Sequence, residues 1–293
     1  MKYITQCILF TLLLTIQFHL TRSAYANTYP PLFKGLVKRL HEDGIDERYL
    51  SELFSRPDLK LVPGAVTKSL IRKEANLNYA QFLEKYSVDK AVTYLKTYKR
   101  PLKETERHFG VSAPIVVAIL SVETACGTYI GRFKAVNLLV TQALSLEPEV
   151  YRKIYGQIPA KEKERLAQKR IKKRLRQKSI KGYRELKALL NYARSHDIDP
   201  FTIQGSSEGA IGIPQFLPSN IKVYGYDGNG DGRIDLFQHE DAIASVASFL
   251  KAFRWNKGNS YQKKKEIIRR YNPSDYYADT VLKLAEILKD SEG

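Results

Sequence analysis

The fold turns on the stretch SAPIVVAILSVETACG, residues 112–127. Ser112 stands at an N-cap position, Pro114 is tolerated in a first helical turn, and Ile115, Val116, Val117, Ile119, Leu120 and Val122 follow. Those apolar residues fall on every side of a 3.6-residue period, which predicts a helix buried all round, with Gly127 as its stop. Glu123 is the only acid in this helix and lies in its last turn. An apolar surround and the partly negative helix C-terminus both disfavour a carboxylate, so its pKa is expected to be raised and the group held protonated, as a general acid requires. From the residues alone the alternative stays open that Glu123 is a structural group hydrogen-bonded to a neighbouring segment.

Outward from this helix, helical periodicity dominates and no sustained period-two pattern occurs. Residues 88–98 read as an amphipathic helix broken by Pro101, and 103–109 as a helix ended by Gly110. Residues 183–196 form another and lead into a turn-rich segment, 197–212. Glu240 and Asp241 precede Ile243, Val246, Ala247, Phe249, Leu250 and Phe253 and mark a further helix start. Two closing helices, 262–271 and 274–289, flank Asn272-Pro273. No internal repeat is found.

The N-terminus reads as an export leader: Lys2, an apolar run from Ile8 to Leu14, then Ala24-Tyr25-Ala26, a small-x-small cleavage site. Cleavage after Ala26 leaves 27–293, enough for one large domain, and the apolar run is far short of the about 20 residues that span a bilayer. Cys126 is then the only cysteine, so the fold rests on packing without disulfides. The formal charge of +17 suits a polyanion. Much of it lies in KEKERLAQKRIKKRLRQKSIK, residues 161–181, which lacks interleaved aromatics, so nucleic acid is not the expected partner. This run reads as a solvated helical face or a basic insertion at about 160–181.

Two blocks carry a resemblance. AILSVETACGTYIG (118–131) and GSSEGAIGIPQFLPS (205–219) together resemble the membrane-bound lytic murein transglycosylase B family, glycoside hydrolase family 103. The resemblance implies a mainly α, α+β lysozyme-like fold: a helical catalytic lobe, a cleft, and a smaller loop-rich lobe, with short strands near the cleft or the metal loop. It implies that Glu123 is the family's single catalytic acid, that Ser206 and Gln215 line the sugar site and steady the acid, and that Tyr271, Asn272 and Tyr277 form the cleft wall. The residues are compatible with this, since Gln215 offers a donor and an acceptor to an acetamido sugar and tyrosines offer flat faces to sugar rings. Ala125 and Cys126 depart from the family pattern, which has a larger residue and then an aromatic. Cys126 reads as a small buried hydrophobe, with no evident base to make it a nucleophile.

DGNGDGRIDLFQ (227–238) fits an EF-hand-like calcium loop, with Asp227, Asn229 and Asp231 as side-chain ligands and Arg233 through its carbonyl. Gln238, at the twelfth position, has no carboxylate, so a weak structural Ca2+ or a metal-free turn is expected. No cofactor is expected for catalysis. The reaction implied is cleavage of the MurNAc-GlcNAc bond of peptidoglycan glycan strands with formation of 1,6-anhydromuramoyl ends, by an exported, periplasmic, soluble monomer whose basic run meets the anionic wall or membrane surface. The alternatives are a hydrolase of the same bond and a non-catalytic wall-binding protein on the same scaffold.

Overall fold

A computed structural model describes residues 29–72 and 78–291, so the export leader and its cleavage point lie outside the described residues. The chain divides into two compact units after Leu59. In the first, a 3-10 turn at Pro31–Phe33 leads into α1 (Lys34–Glu42) and α2 (Glu47–Phe54). Leu36, Val37 and Leu40 of α1 and Leu50, Leu53 and Phe54 of α2 are buried at helical spacing. The Asp46 carboxylate caps α2 by accepting the Tyr49 N–H at 2.8 Å.

The second unit runs α3 (Pro63–Ile71), a 3-10 turn at Tyr79–Leu83, α4 (Lys85–Thr97), α5 (Lys99–Phe109) and α6 (Ala113–Thr124). Strand β1 (Phe133–Lys134), α7 (Ala135–Ala143), α8 (Pro148–Gly156), α9 (Ala160–Ser195), β2 (Gln204–Gly205) and α10 (Pro218–Tyr224) follow. The closing helices are α11 (His239–Ala252), α12 (Tyr261–Tyr271) and α13 (Asp275–Asp290). The mainly helical expectation is borne out. The strands are two-residue pieces, antiparallel with Phe133 opposite Gly205, and single bridges join Ile211 to Gly205 and to Phe216.

Helix α6 is the buried core helix that its all-round apolar pattern predicts. Its residues from Ala113 to Ser121 are buried, and α4, α5, α11 and α13 pack around it. Gly127, however, is not its stop. The helix ends at Thr124, and Ala125 (φ 48°), Cys126 (φ 59°) and Gly127 (φ 88°) form a run of three left-handed residues, with the Ala125 N–H bonded to the Ser121 carbonyl. Pro101 likewise breaks nothing, because it lies in the first turn of α5, where its missing N–H has no helical partner to lose. The break between α4 and α5 falls at Tyr98.

The basic run does not stand off the fold as an arm. It is the first part of α9, a 36-residue helix kinked at Ala167, which continues through the expected 183–196 helix. Leu166, Ile171 and Leu175 are buried, the last two at helical spacing beyond the kink; most of the lysines and arginines around them are exposed, while Arg174, Lys178 and Lys181 are half-buried, and α9 packs against α7, α10 and α3. The solvated-face reading holds for the exposed cations, such as Lys169, Arg170 and Lys173, and the apolar residues between them make the run part of the core.

Candidate active site

The end of α6 and the segment 205–217 build one wall of a cleft of about 660 Å³. Thr124 holds the two together. Its buried hydroxyl donates to the Ile213 carbonyl at 2.8 Å and accepts the Gly127 N–H at 3.0 Å. Segment 211–216 folds on itself, with Ile211 and Phe216 exchanging both backbone hydrogen bonds. Gln215 completes this turn in the left-handed region, φ 50°. Gly131 admits no side chain, since a Cβ there would lie 2.2 Å from the Gly205 carbonyl oxygen.

All six residues expected at the sugar site line this one cleft: Glu123, Ser206, Gln215, Tyr271, Asn272 and Tyr277. Glu123 accepts a 2.7 Å hydrogen bond from the Tyr277 hydroxyl at Oε1. Burial pushes its carboxyl up to about 7, against the opposing pull of that bond. Tyr277 is itself buried, and Ser274 caps its helix by accepting the Tyr277 N–H at 3.2 Å. The Tyr271 hydroxyl donates to the Pro214 carbonyl, which ties α12 to the 211–216 turn. Burial, with the Glu123 charge beside them, holds both tyrosines well above the ordinary phenol value, so they remain hydrogen-bond donors.

Two roles differ from expectation. Gln215 Nε2 donates to the carbonyls of Ile130 at 3.1 Å and Gly212 at 2.9 Å, so its donors fix the chain and only its carbonyl oxygen is left for a ligand. The bond that steadies Glu123 comes from Tyr277, not from Ser206 or Gln215. Ser206 Oγ accepts the N–H groups of Glu208 and Ala210, each at 3.2 Å, which leaves its hydroxyl hydrogen to donate. Asn272 closes α12 and lines the cleft beside Tyr271.

Tyr79, Phe82, Tyr129 and Glu208 also line the cleft and were not singled out from the sequence. Tyr79 stacks on Tyr276 with ring centroids 6.4 Å apart. Single tyrosines among 19 carry no positional signal; Glu208 stood inside the second block without a motif role. Burial would raise the Glu208 carboxyl, but Lys178, Ser69 and Lys181 outweigh it and hold it below its ordinary value. Lys178 Nζ lies 3.1 Å from Glu208 Oε2. Cys126 Sγ lies 3.1 Å from Ser121 Oγ, and burial pushes the thiol up to about 11, so no reactive thiolate forms at neutral pH.

In the 227–238 loop, Asp227 accepts the N–H groups of Gly230 (2.7 Å), Asp231 (3.2 Å) and Gly232 (2.7 Å). Asn229 Oδ1 accepts the Asp231 N–H and Asp231 Oδ1 the Arg233 N–H, both at 2.9 Å. Gln238 does not close the loop. It stands at the N-cap of α11 without a side-chain cap bond. The carboxylate that closes it is Asp241, fully buried, accepting the N–H groups of Gly228 (2.8 Å), Asn229 (3.3 Å) and Asp235 (2.6 Å). Reading Asp241 only as a helix-start acid missed this role, because a first-turn acid that serves its own helix and one that reaches back look alike in sequence. The oxygen-only donors of Asp227, Asn229 and Asp231 and the Arg233 carbonyl suit a hard cation. Among the described residues, no group of three or more His, Cys, Asp or Glu is gathered so as to hold a metal ion.

Comparison with known proteins agrees with this architecture. The chain is 28% identical over 233 residues to membrane-bound lytic murein transglycosylase B of Escherichia coli (strain K12), a match that covers 76% of this chain and 56% of the relative. It thus spans about half the length of that curated relative. The lytic transglycosylase SLT35 of Escherichia coli, solved in complex with calcium, superposes with a TM-score of 0.70 at 23% identity, covering 89% of this chain and 93% of that one. Soluble lytic transglycosylase SltB1 of Pseudomonas aeruginosa gives 0.71 at 22% identity, covering 90% and 100%. SltB3 of Pseudomonas aeruginosa, solved in complex with NAG-NAM-pentapeptide, gives 0.68 at 20% identity, covering 87% and 78%. These likenesses bear out the fold implied by the two sequence blocks. The family described as Transglycosylase SLT domain matches residues 29–267, and the chain belongs to that family.

Proposed function

We propose that this protein is a peptidoglycan lytic transglycosylase in which Glu123 is the acid and then the base. The observation that carries this reading is a carboxyl held near neutrality by burial, anchored by Tyr277 and opening on a cleft lined with tyrosines. A group titrating at about 7 can both give and take a proton near neutral pH. Glu123 protonates the oxygen bridging N-acetylmuramic acid to N-acetylglucosamine as that bond breaks. The Glu123 carboxylate then accepts the proton of the muramic C6 hydroxyl, whose oxygen closes on the anomeric carbon. The product is a 1,6-anhydromuramoyl end, no water is consumed, and Glu123 is restored.

The other cleft acid among the described residues, Glu208, is engaged by Lys178, Ser69 and Lys181, which argues against a two-carboxylate hydrolase that needs a free base. Mass spectrometry of fragments released from purified sacculi tests the reading. Anhydromuramoyl ends that fall by about 100-fold or more in Glu123→Gln support it. Reducing ends would make the protein a hydrolase, and binding without products a wall-binding protein.

Relatives solved with calcium and with a peptide-bearing disaccharide support two further parts of the reading. Asp227, Asn229, Asp231 and the Arg233 carbonyl hold a weak structural Ca2+; an unchanged Tm on adding millimolar Ca2+ would refute it. The protein acts on peptidoglycan in the periplasm after export, and no described helix is long and apolar enough to cross a membrane. The outward cations of α9 face the anionic wall or membrane surface. Because Leu166, Ile171 and Leu175 are core residues, charge reversal at Lys169, Arg170 and Lys173 rather than deletion is the test, read as sacculus binding at low salt.

A further inference from the structure

Beside the cleft lies a second cavity of about 340 Å³, between α3 and α9. Arg72, Arg174, Lys178 and Lys181 line it, and no acid among the described residues does. Arg72 and Lys181 line the main cleft as well, so the two cavities share a wall. Lys178 and Lys181 are partly neutralised by Glu208 on the cleft side, at 3.1 and 3.9 Å. Arg174 Nη1 donates to the Leu70 carbonyl at 3.0 Å, which fixes the guanidinium and leaves its other N–H groups directed elsewhere. Neither Arg72 nor Arg174 forms an ion pair with a described carboxylate. Four cations gathered at a concave site against one acid repel one another, and an anion placed among them relieves that cost.

The glycan chain is uncharged where its muramic lactyl group is amidated, so the anionic groups of the polymer are the carboxylates of its peptide stem. We infer that this pocket receives a carboxylate of the peptide stem while the sugars occupy the cleft. The inference rests on the reading of the cleft as a peptidoglycan site. A fixed guanidinium offers a carboxylate two parallel N–H donors, a geometry that an ammonium cannot supply. The pocket then selects strands that still carry acidic stems over neutralised or stripped ones.

The test titrates GlcNAc-MurNAc-pentapeptide, the same compound with its carboxyls amidated, and the free pentapeptide into Glu123→Gln protein. The acidic disaccharide-pentapeptide is expected to bind about tenfold more tightly than the amidated form at low salt. The free pentapeptide should bind far more weakly than either. Gln177 lines the pocket, is exposed and makes no bond that its replacement would break. Gln177→Glu should narrow the gap by up to about fivefold and Gln177→Lys should widen it, with the Tm of both variants unchanged. Equal affinity for the acidic and amidated forms, or a gap indifferent to residue 177, overturns the inference. Binding is read without turnover, so sacculi left undigested by the parent protein would refute the proposed reaction separately.

Discussion

Two sharp reversals of the chain each hold a desolvated acid, half-buried at Glu123 and fully buried at Asp241, and they hold it in opposite ways. At the end of α6, Glu123 receives one side-chain hydrogen bond, from Tyr277, and the turn beside it is made by Ala125 and Cys126, residues that favour other conformations. In the 227–238 loop, Asp241 receives three backbone N–H groups, and the left-handed positions are taken by Gly230 and Gly232. Burial raises both carboxyls above their ordinary values, but at Asp241 the backbone bonds oppose it and at Glu123 only Tyr277 does. The loop is built for its own stability. The helix end tolerates backbone strain and a desolvated proton, which is the pattern of a working site.

The largest effect should come from removing the loop's acid. Asp241→Ala leaves the N–H groups of Gly228, Asn229 and Asp235 without their acceptor around a side chain that is itself fully buried. A loss of about 3–5 kcal/mol is expected, measured by urea unfolding without added metal. Asp241→Asn, which keeps one oxygen, should lose less. A loss below about 1 kcal/mol would mean that water or another group replaces the carboxylate, and the contrast between the two turns would fail.

Removing the acid of the helix end should have the opposite sign. The Glu123 carboxyl titrates at about 7 in the folded chain, above its ordinary 4.5, so the native state holds this proton more tightly than the unfolded state does. Below about 4.5 both states are protonated and nothing is lost. Between the two values the unfolded state releases its proton first and stability falls, and above about 7 the full cost is present, on the order of 3 kcal/mol. Glu123→Gln should therefore be more stable than the parent at pH 8 and equal to it at pH 4, by thermal or urea unfolding. In the parent, kcat/KM should fall as pH rises through about 7, as the proton needed for the first step is lost.

How much of this was legible follows from which interactions are local. The buried character of α6 and the position of Glu123 in its last turn could be read because periodicity and cap residues act within one segment. The end of α5 at Gly110 was legible for the same reason. The partner of Glu123 was not, since Tyr277 lies 154 residues away and only the packing of α13 on α6 brings them together. Asp241 is a first-turn acid, as its place in the sequence predicts, but its carboxylate also serves the loop that precedes its own helix, and nothing local marks that second role. The basic run misled in another way, because its charge hid Leu166, Ile171 and Leu175, three buried apolar residues on either side of the kink at Ala167.

The smallest effect sharpens the comparison at its least obvious point, the backbone after Glu123. Ala125 adopts φ 48°, where an L-residue with a Cβ pays about 1–2 kcal/mol, and its N–H is already committed to the Ser121 carbonyl. Ala125→Gly removes that cost but gives the unfolded chain more freedom, worth about 0.5–1 kcal/mol in the other direction. The net gain should be about 0.5–1 kcal/mol, a Tm rise of a few degrees or less. The same exchange at a position of ordinary helical φ, such as Ala118 in the middle of α6, must destabilise instead. If the strain also holds Glu123 in place, Ala125→Gly should lower kcat while it raises Tm. A rise in Tm with kcat unchanged would place the strain in the turn alone and leave Tyr277 as what fixes the acid.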